Sequence, residues 1–443
     1  MLQTLFHIPH AIFDIPLFGW GWGLGIWALI VTLVMGLVVR EHGWKAETLN
    51  HLTVFVFLGL AIFFLRHLEA RDANGVPVGL PIRGYGVMLL LGIVSGVGLA
   101  MYRARRMGVD PELIMSLAFS MLIAGIVGAR LFFVIEFWEQ FQRETVAATV
   151  VATLKVTEGG LVVYGSLVGA LIAACIFLIR HRLPILAIAD LIAPSLALGL
   201  AFGRIGCLFN GCCFGQVCDA PWAISFPRTS SRIADGSTSP PYDFQLRSGQ
   251  LHGVQIGSGE RRKNQANDLP VVVRVEKGSA ADEAGFRVGD RVTSIGGQPV
   301  STLGDVYWAI LKFDSELAIT TENGKRSVSS LSRRSLRIHP TQIYSSINAL
   351  LLCLFLLAYY PYRRRDGEVI AICLTIYPVA RYLLEMIRAD ESIAWGLTIS
   401  QVVSGLLLLA VLTLWMIVLR QPRESALPPA ELTGHAGQPA ISE

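Results

Sequence analysis

LAIADLIAPSLALGLAFGRIG, residues 186–206, is long enough to cross a bilayer, for which roughly 20 mostly apolar residues suffice, yet it carries Arg204 near its end. Two more such runs hold Arg130 (112–135) and Arg381 (368–388). Burying a guanidinium in hydrocarbon costs ~2.5 kcal/mol or more on insertion scales, so each intramembrane arginine points to a functional site. The chain reads as one that handles an anion at a membrane.

Working outward, 53% of the 443 residues are hydrophobic and only 16% are charged. With a mean hydropathy of +0.54, this excludes an ordinary soluble domain. Span-length runs occur at 19–39, 50–67, 83–102, 112–135, 161–180, 186–206, 342–361, 368–388 and 398–419. The predicted fold class is therefore an all-α polytopic membrane protein of about nine transmembrane helices. Arg103, Arg105 and Arg106 follow span three, Arg180 and Arg182 span five, Arg363 to Arg365 span seven, and Arg420 and Arg423 span nine. Odd spans thus end inside, which puts the N-terminus and segment 207–341 outside and the C-terminus inside. MLQTLFHIPH lacks a basic n-region, so span one is expected to stay as an anchor. A net charge of +4, mostly at span borders, makes no case for nucleic acid.

Segment 229–336 is polar and interrupts the spans as a small α/β-rich soluble insert. Residues 269–313 read strand, short helix, strand, turn, helix. GSAADEAGFRVGDRVTSIGGQPV, within that stretch, resembles a PDZ domain of the bacterial envelope type, over about 250–331. The resemblance implies a peptide ligand received as an added strand; a β-rich spacer is the plainer alternative. The organisation expected is an added transmembrane hairpin (1–75), a core in two parts (76–228 and 337–420) around the insert (229–336), and a disordered tail (421–443).

On this topology Tyr85, Arg130, Tyr164, Arg204, Asn210, His339, Gln342 and Tyr344 all fall near outer span ends. Arg381 lies roughly 10 Å below the outer end of its span at 1.5 Å per residue. Tyr377, Arg381 and Glu385 are spaced by four and share a helix face, with Arg388 three residues on. Structural readings compete: an internal Arg–Glu pair, a snorkelling Arg204, a packing role for Arg130. Two arginines from separate helices nevertheless suit a phosphate clamp, and lipid phosphate is the obvious anion.

GRIGCLFNGCCFG (203–215) resembles the signature of the prolipoprotein diacylglyceryl transferases. So, in the family's order, do GGLVVYGSLVGA (159–170), ADLIAPSLALGLAFGR (189–204), HPTQIY (339–344) and YPVARYLLEMIR (377–388). The resemblance implies transfer of diacylglycerol from phosphatidylglycerol to the lipobox cysteine of a prolipoprotein, at a bacterial inner membrane, with no cofactor and no metal. It implies Arg204 and Arg381 as essential arginines, Tyr377 and Tyr85 as pocket tyrosines, and Asn210 and Gly215 as the end of the signature. Arg130, Glu158, Asp190 and Glu385 match polar family positions, and His339, Gln342 and Tyr344 join the substrate-binding set.

A thiol of pKa about 8.5 must lose its proton to act as nucleophile, and here the chain departs from its family. Tyr164 stands where a histidine can occur, Cys207 replaces Asn, Cys212 replaces Glu, and Ser345 stands where Glu is usual. Tyr164 can donate a hydrogen bond, but with a pKa about 10 it is a poor base. Cys207, Cys212, Cys213 and Cys218 form C-x4-CC-x4-C, read as one or two structural disulfides in an oxidising compartment. The spacing is not that of the usual zinc pairs. A non-catalytic lipid or peptide receptor is the alternative, and an anion transporter is disfavoured because its site belongs nearer the midplane.

Overall fold

The computed structural model describes residues 3–42, 55–56, 58–60, 62–71, 75–142, 145–154, 160, 162–228, 239–258, 270–312, 316–324, 326–390, 396–423 and 425–427. Among these, six helices are long and apolar enough to cross a membrane. They are Gly84–Arg106, Pro111–Glu136, Val163–Arg180, Ile185–Asn210, Thr341–Tyr362 and Ile399–Arg420. This is fewer than the nine spans expected, for identifiable reasons. Glu368–Glu385 is a helix, but Glu368, Arg381 and Glu385 take it out of the purely apolar set. The first expected span is the helix Trp22–His42, apolar only over 22–37. Much of the second, 50–67, lies outside the described residues.

The chain divides into two compact units, Met1–Met88 with Ile205–Gln342, and Leu89–Arg204 with Ile343–Glu443. In the second unit, helices Pro111–Glu136 and Val163–Arg180 pack backbone to backbone through glycines. A Cβ on Gly165 would sit 2.4 Å from the Gly128 carbonyl oxygen, and one on Gly169 would sit 2.4 Å from that of Ala124. Small residues four apart permit this approach, which is how apolar helices gain contact where lipid offers no hydrophobic drive.

The same unit is tied at its Arg103 end by buried polar groups. Helix Glu368–Glu385 begins after Gly367, at φ 95°, which has no side chain to cap it. The cap comes instead from another helix. The carboxylate of Asp190 accepts 2.8 Å hydrogen bonds from the Gly367 and Ile370 amides. Two of the orphan donors at a helix start are thereby satisfied, with a negative charge at the positive end of the dipole. Arg103 donates to the Leu191 carbonyl. Its guanidinium lies 4.1 Å from the Tyr360 ring centre, and that of Arg363 lies 3.8 Å from it. The start of the tail is packed here, where disorder was expected: Ser425 and Ala426 donate to the Asp366 carboxylate, and Leu427 is buried in the core. Residues 428–443 lie outside the described residues.

In the first unit, strand Thr4–Pro9 pairs antiparallel with Pro77–Arg83, placing Phe6 opposite Ile82 and Ile8 opposite Leu80. Ala70–Arg71 pairs with the same strand, completing a three-stranded sheet. The insert holds a four-stranded sheet ordered Arg326–Ser330, Glu316–Thr321, Val292–Ile295, Gln298–Pro299, and a separate pair, Val254–Ser258 with Pro270–Val275. Along Glu316–Thr321 the inward residues alternate as Leu317, Ile319 and Thr321, the two-residue period of a half-buried strand. Leu317 and Ile319 join Tyr242, Leu246, Val272, Ile295 and Val306 in one apolar core.

Asp190→Ala removes both amide acceptors while leaving the apolar helix faces intact. At about 1.5–3 kcal/mol for each hydrogen bond to a charged group, part of it recovered by relaxation, the variant is expected to lose ~2–4 kcal/mol of stability. Thermal unfolding in detergent measures it; an unchanged melting temperature would show that the cap is dispensable.

Candidate functional site

Arg381 sits in the last turns of helix Glu368–Glu385, and its surroundings follow from the spacing that the sequence shows. Four residues on, Glu385 places Oε2 2.8 Å from Arg381 Nη1, and three further on Arg388 donates to the same Oε2 at 3.1 Å. The other carboxylate oxygen accepts from Thr398 Oγ1 at 3.0 Å. Thr398 is itself the capping residue of helix Ile399–Arg420, in a reciprocal box with Gln401. Arg381 Nη2 donates to Ser400 Oγ at 2.8 Å. One carboxylate, 1% exposed, therefore fixes two guanidinium groups and the start of the next helix.

The pairing does not exhaust the guanidinium. Nη1 of Arg381 lies close to Glu385 but off the hydrogen-bond line, and is buried without an aligned acceptor among the described residues. Its charge is felt together with those of Arg388, Arg204 and Glu385 and the Tyr377 side chain. Arg388 also pairs with Asp390 at 2.8 Å. Among the described residues Arg381 thus lies where the charges of two further guanidinium groups, Arg388 and Arg204, bear on it, in a half-buried place where Coulomb interactions are stronger than in water.

Other predicted residues of this unit fall in different surroundings. Arg130 donates to the Thr153 carbonyl at 2.8 Å, to Gly160 at 3.2 Å and to Ala152 at 3.3 Å. It also lies 5.6 Å from the Phe133 and 5.2 Å from the Phe141 ring centre. The contacts to Ala152 and Thr153 tie it to the helix Val146–Leu154, on which the sequence reading is silent. Tyr164 opens helix Val163–Arg180 and is exposed. Tyr344 is half-buried on helix Thr341–Tyr359, while Ser346 nearby donates to the Ala201 carbonyl at 2.9 Å. Glu158 lies outside the described residues. An apolar cavity of about 500 Å³, lined by Leu89, Ile93, Val97, Met121, Leu122 and Ile126 among others, belongs to the same unit.

In the first unit the HPTQ part (339–342) of the HPTQIY motif clamps the end of the signature. The side chain of Thr341 donates to the Cys213 carbonyl at 2.7 Å, and that of Gln342 to the Cys212 carbonyl at 2.8 Å. The Gly215 amide donates to the His339 carbonyl at 3.1 Å, and the His339 amide to Gln216 at 3.0 Å. Gly215 has to be glycine: a Cβ there would lie 2.5 Å from His339 Cβ and 2.7 Å from its carbonyl oxygen. The Asn210 carbonyl accepts from the Gln3 side chain at 2.8 Å, which ties the N-terminal strand to the signature. Tyr85 is exposed, and Gly206 packs against its ring. Among the described residues the cysteines are free, where one or two disulfides were expected of the outer four.

The sequence profile described as prolipoprotein diacylglyceryl transferase matches residues 75–417. A Rhodopirellula baltica protein named phosphatidylglycerol–prolipoprotein diacylglyceryl transferase is 34% identical across 93% of this chain and 88% of its own length. Proteins of the same name from Trichormus variabilis and Chromohalobacter salexigens are 34% and 33% identical. The first match covers 33% of this chain and 51% of that protein, the second 46% and 75%.

Gly215→Ala is expected to unseat the clamp, costing about 1–3 kcal/mol as overpacking does. Maleimide labelling of Cys218, whose amide bonds Arg337 beside the clamp, should accelerate; an unchanged labelling rate would show that the loop absorbs the methyl group.

Proposed function

We propose the chemistry of this chain from the premise that it belongs to the prolipoprotein diacylglyceryl transferase family: it moves the diacylglyceryl group of phosphatidylglycerol onto the lipobox cysteine of a prolipoprotein. The sulfur attacks the glyceryl carbon that bears the phosphate ester. A C–S bond forms, the C–O bond breaks, the leaving group departs as glycerol phosphate, and the thiol proton leaves the sulfur. The product is a thioether-linked lipid, the first step of lipoprotein maturation.

The observation that carries the reading is the gathering of the Arg204 and Arg381 guanidinium groups, from two different helices, near enough for their charges to act on one another. Negative charge grows on the phosphate as the C–O bond breaks, and preformed cations aimed at it lower the barrier without reorganising. A half-buried guanidinium pair suits the planar, two-point recognition of phosphate. The apolar cavity of the same unit is of a size and lining to take acyl chain. Tyr377 and Glu385 position Arg381, Tyr164 donates a hydrogen bond, and the resemblance of their motifs to the family's assigns Tyr85, Arg130, Asn210, Gly215, His339, Gln342 and Tyr344 to substrate binding. The relatives' shared name favours an enzyme over a non-catalytic receptor.

The finer organisation follows the same reading. The chain sits in a bacterial inner membrane with its N-terminus and insert in the periplasm and its C-terminus in the cytoplasm, as the arginine-rich span ends support. The insert is PDZ-like and recruits or orients protein substrates through a peptide added to a strand edge.

Purified protein should transfer labelled diacylglycerol from phosphatidylglycerol to a lipobox peptide and not to its Cys→Ser counterpart. Arg204→Ala and Arg381→Ala should each lower that rate by ~10²-fold or more, as loss of an oxyanion donor does. Wild-type rates in either inserted variant would refute the clamp. Deleting residues 245–334 should spare transfer to the short peptide and weaken it with full-length prolipoproteins. Equal loss on both would assign the insert a structural role instead.

A further inference from the structure

The signature ends in a group of thiols that neither the reaction nor the clamp uses. Cys207 lies in the last turn of helix Ile185–Asn210, and Gly211, at φ 75°, ends that helix. The amides of Gly211 and Cys212 turn back onto the Cys207 carbonyl, at 2.8 and 3.2 Å. Cys213 then adopts a left-handed backbone, φ 59°, which an L-residue other than glycine takes up at a cost of roughly 1–2 kcal/mol. Consecutive side chains ordinarily diverge, but here three sulfurs converge: the Sγ atoms of Cys207, Cys212 and Cys213 all lie within 4.8 Å of one another, each side chain half-buried.

We propose that Cys207, Cys212 and Cys213 form a three-thiolate site for a thiophilic d10 metal ion, zinc(II) or copper(I). Metal–sulfur bonds of about 2.3 Å place sulfurs bound to one ion roughly 3.8–4.0 Å apart, within the observed spread. Soft thiolate donors select these ions over magnesium, calcium or manganese. A disulfide would use two of the sulfurs and strand the third, whereas one ion engages all three. The donors are also preset. The Cys212 and Cys213 carbonyls are held by Gln342 and Thr341, and the Cys212 thiol lies 3.8 Å from the Cys207 carbonyl. Each thiol that binds as thiolate releases its proton to solvent. Three donors leave a coordination position open for an outside ligand. The linear spacing matches no usual zinc motif because the helix end, rather than the sequence interval, gathers the sulfurs.

The test uses the full chain in detergent, reduced and desalted under anaerobic conditions, then titrated with zinc(II) and, separately, with copper(I) against a competing chelator. The expected result is about one equivalent of one of these ions per chain, and whichever is held more tightly identifies the ion. Cys207→Ser and Cys212→Ser should each weaken retention by at least the ~10-fold that loss of even an outer-shell partner costs. Cys175→Ser, in the middle of a different helix, should not. Without any substitution, bound metal should shield the three cysteines from maleimide while Cys218 still reacts, and chelation should restore labelling. The proposal is overturned if neither ion is retained stoichiometrically, or if peptide mapping of non-reduced protein finds two of the three joined as a disulfide. Either result leaves the transferase reading untouched.

Discussion

The carboxylate of Asp190 holds two helices in register. It sits on Ile185–Asn210, fully buried, and closes the amino end of Glu368–Glu385. Those helices carry Arg204 and Arg381, on the far side of the cap by roughly 21 Å and 16 Å of helix at 1.5 Å per residue. An apolar helix face in lipid can slide or rotate at little cost, since each position meets more hydrocarbon. Two charge-assisted hydrogen bonds to specific amides remove that freedom. The position of a guanidinium at one end of a helix is thus set by a polar contact at the other, and the glycine at 367 explains why the contact must come from outside the helix.

Glu385 does the complementary work near Arg381. A lone guanidinium within the membrane is driven to snorkel toward the headgroups, which would leave no defined site. Pairing with Glu385 holds it in place, and sharing that carboxylate with Arg388 and Thr398 stops the pair from neutralising itself completely. The result is a cation whose place is fixed by its neighbours. A fully satisfied pair would be a packing device, and an unpaired arginine would not stay.

Much of this was legible in the sequence, for physical reasons. Helices that cross lipid announce themselves by hydropathy, and the four-residue spacing of Tyr377, Arg381 and Glu385 already put them on one face. The insert's strand and helix order could be read from its turn glycines and alternation. What escaped were contacts between segments distant in the chain. The pairing of Thr4–Pro9 with Pro77–Arg83 has no local signature, because a strand edge needs only a compatible partner. Leu427 reads as one apolar residue in a Pro-rich tail and finds its place only because Asp366 grips the neighbouring residues. Arg130 shows the limit of residue type: an arginine in a span signals a polar partner without saying whether that partner is a ligand or, as its described contacts have it, carbonyls of the protein's own chain.

The departures of the signature from its family pattern look independent in the sequence, but two of them belong to a single structural event. Cys207 and Cys212 replace an amide and a carboxylate side chain at positions five apart, and the left-handed turn at Gly211 folds one back upon the other. Exchange of either residue alone would set a thiol beside a polar side chain suited to hydrogen bonding. Exchange of both, with Cys213 next to Cys212 and the Gln342 and Thr341 clamp on its backbone, yields a group of three soft donors on one turn. Coupled substitution is what a shared ligand demands, since two donors hold a d10 ion far less firmly than three. The sequence difference at this turn is therefore one change of chemistry, made on a backbone that the rest of the signature keeps in place.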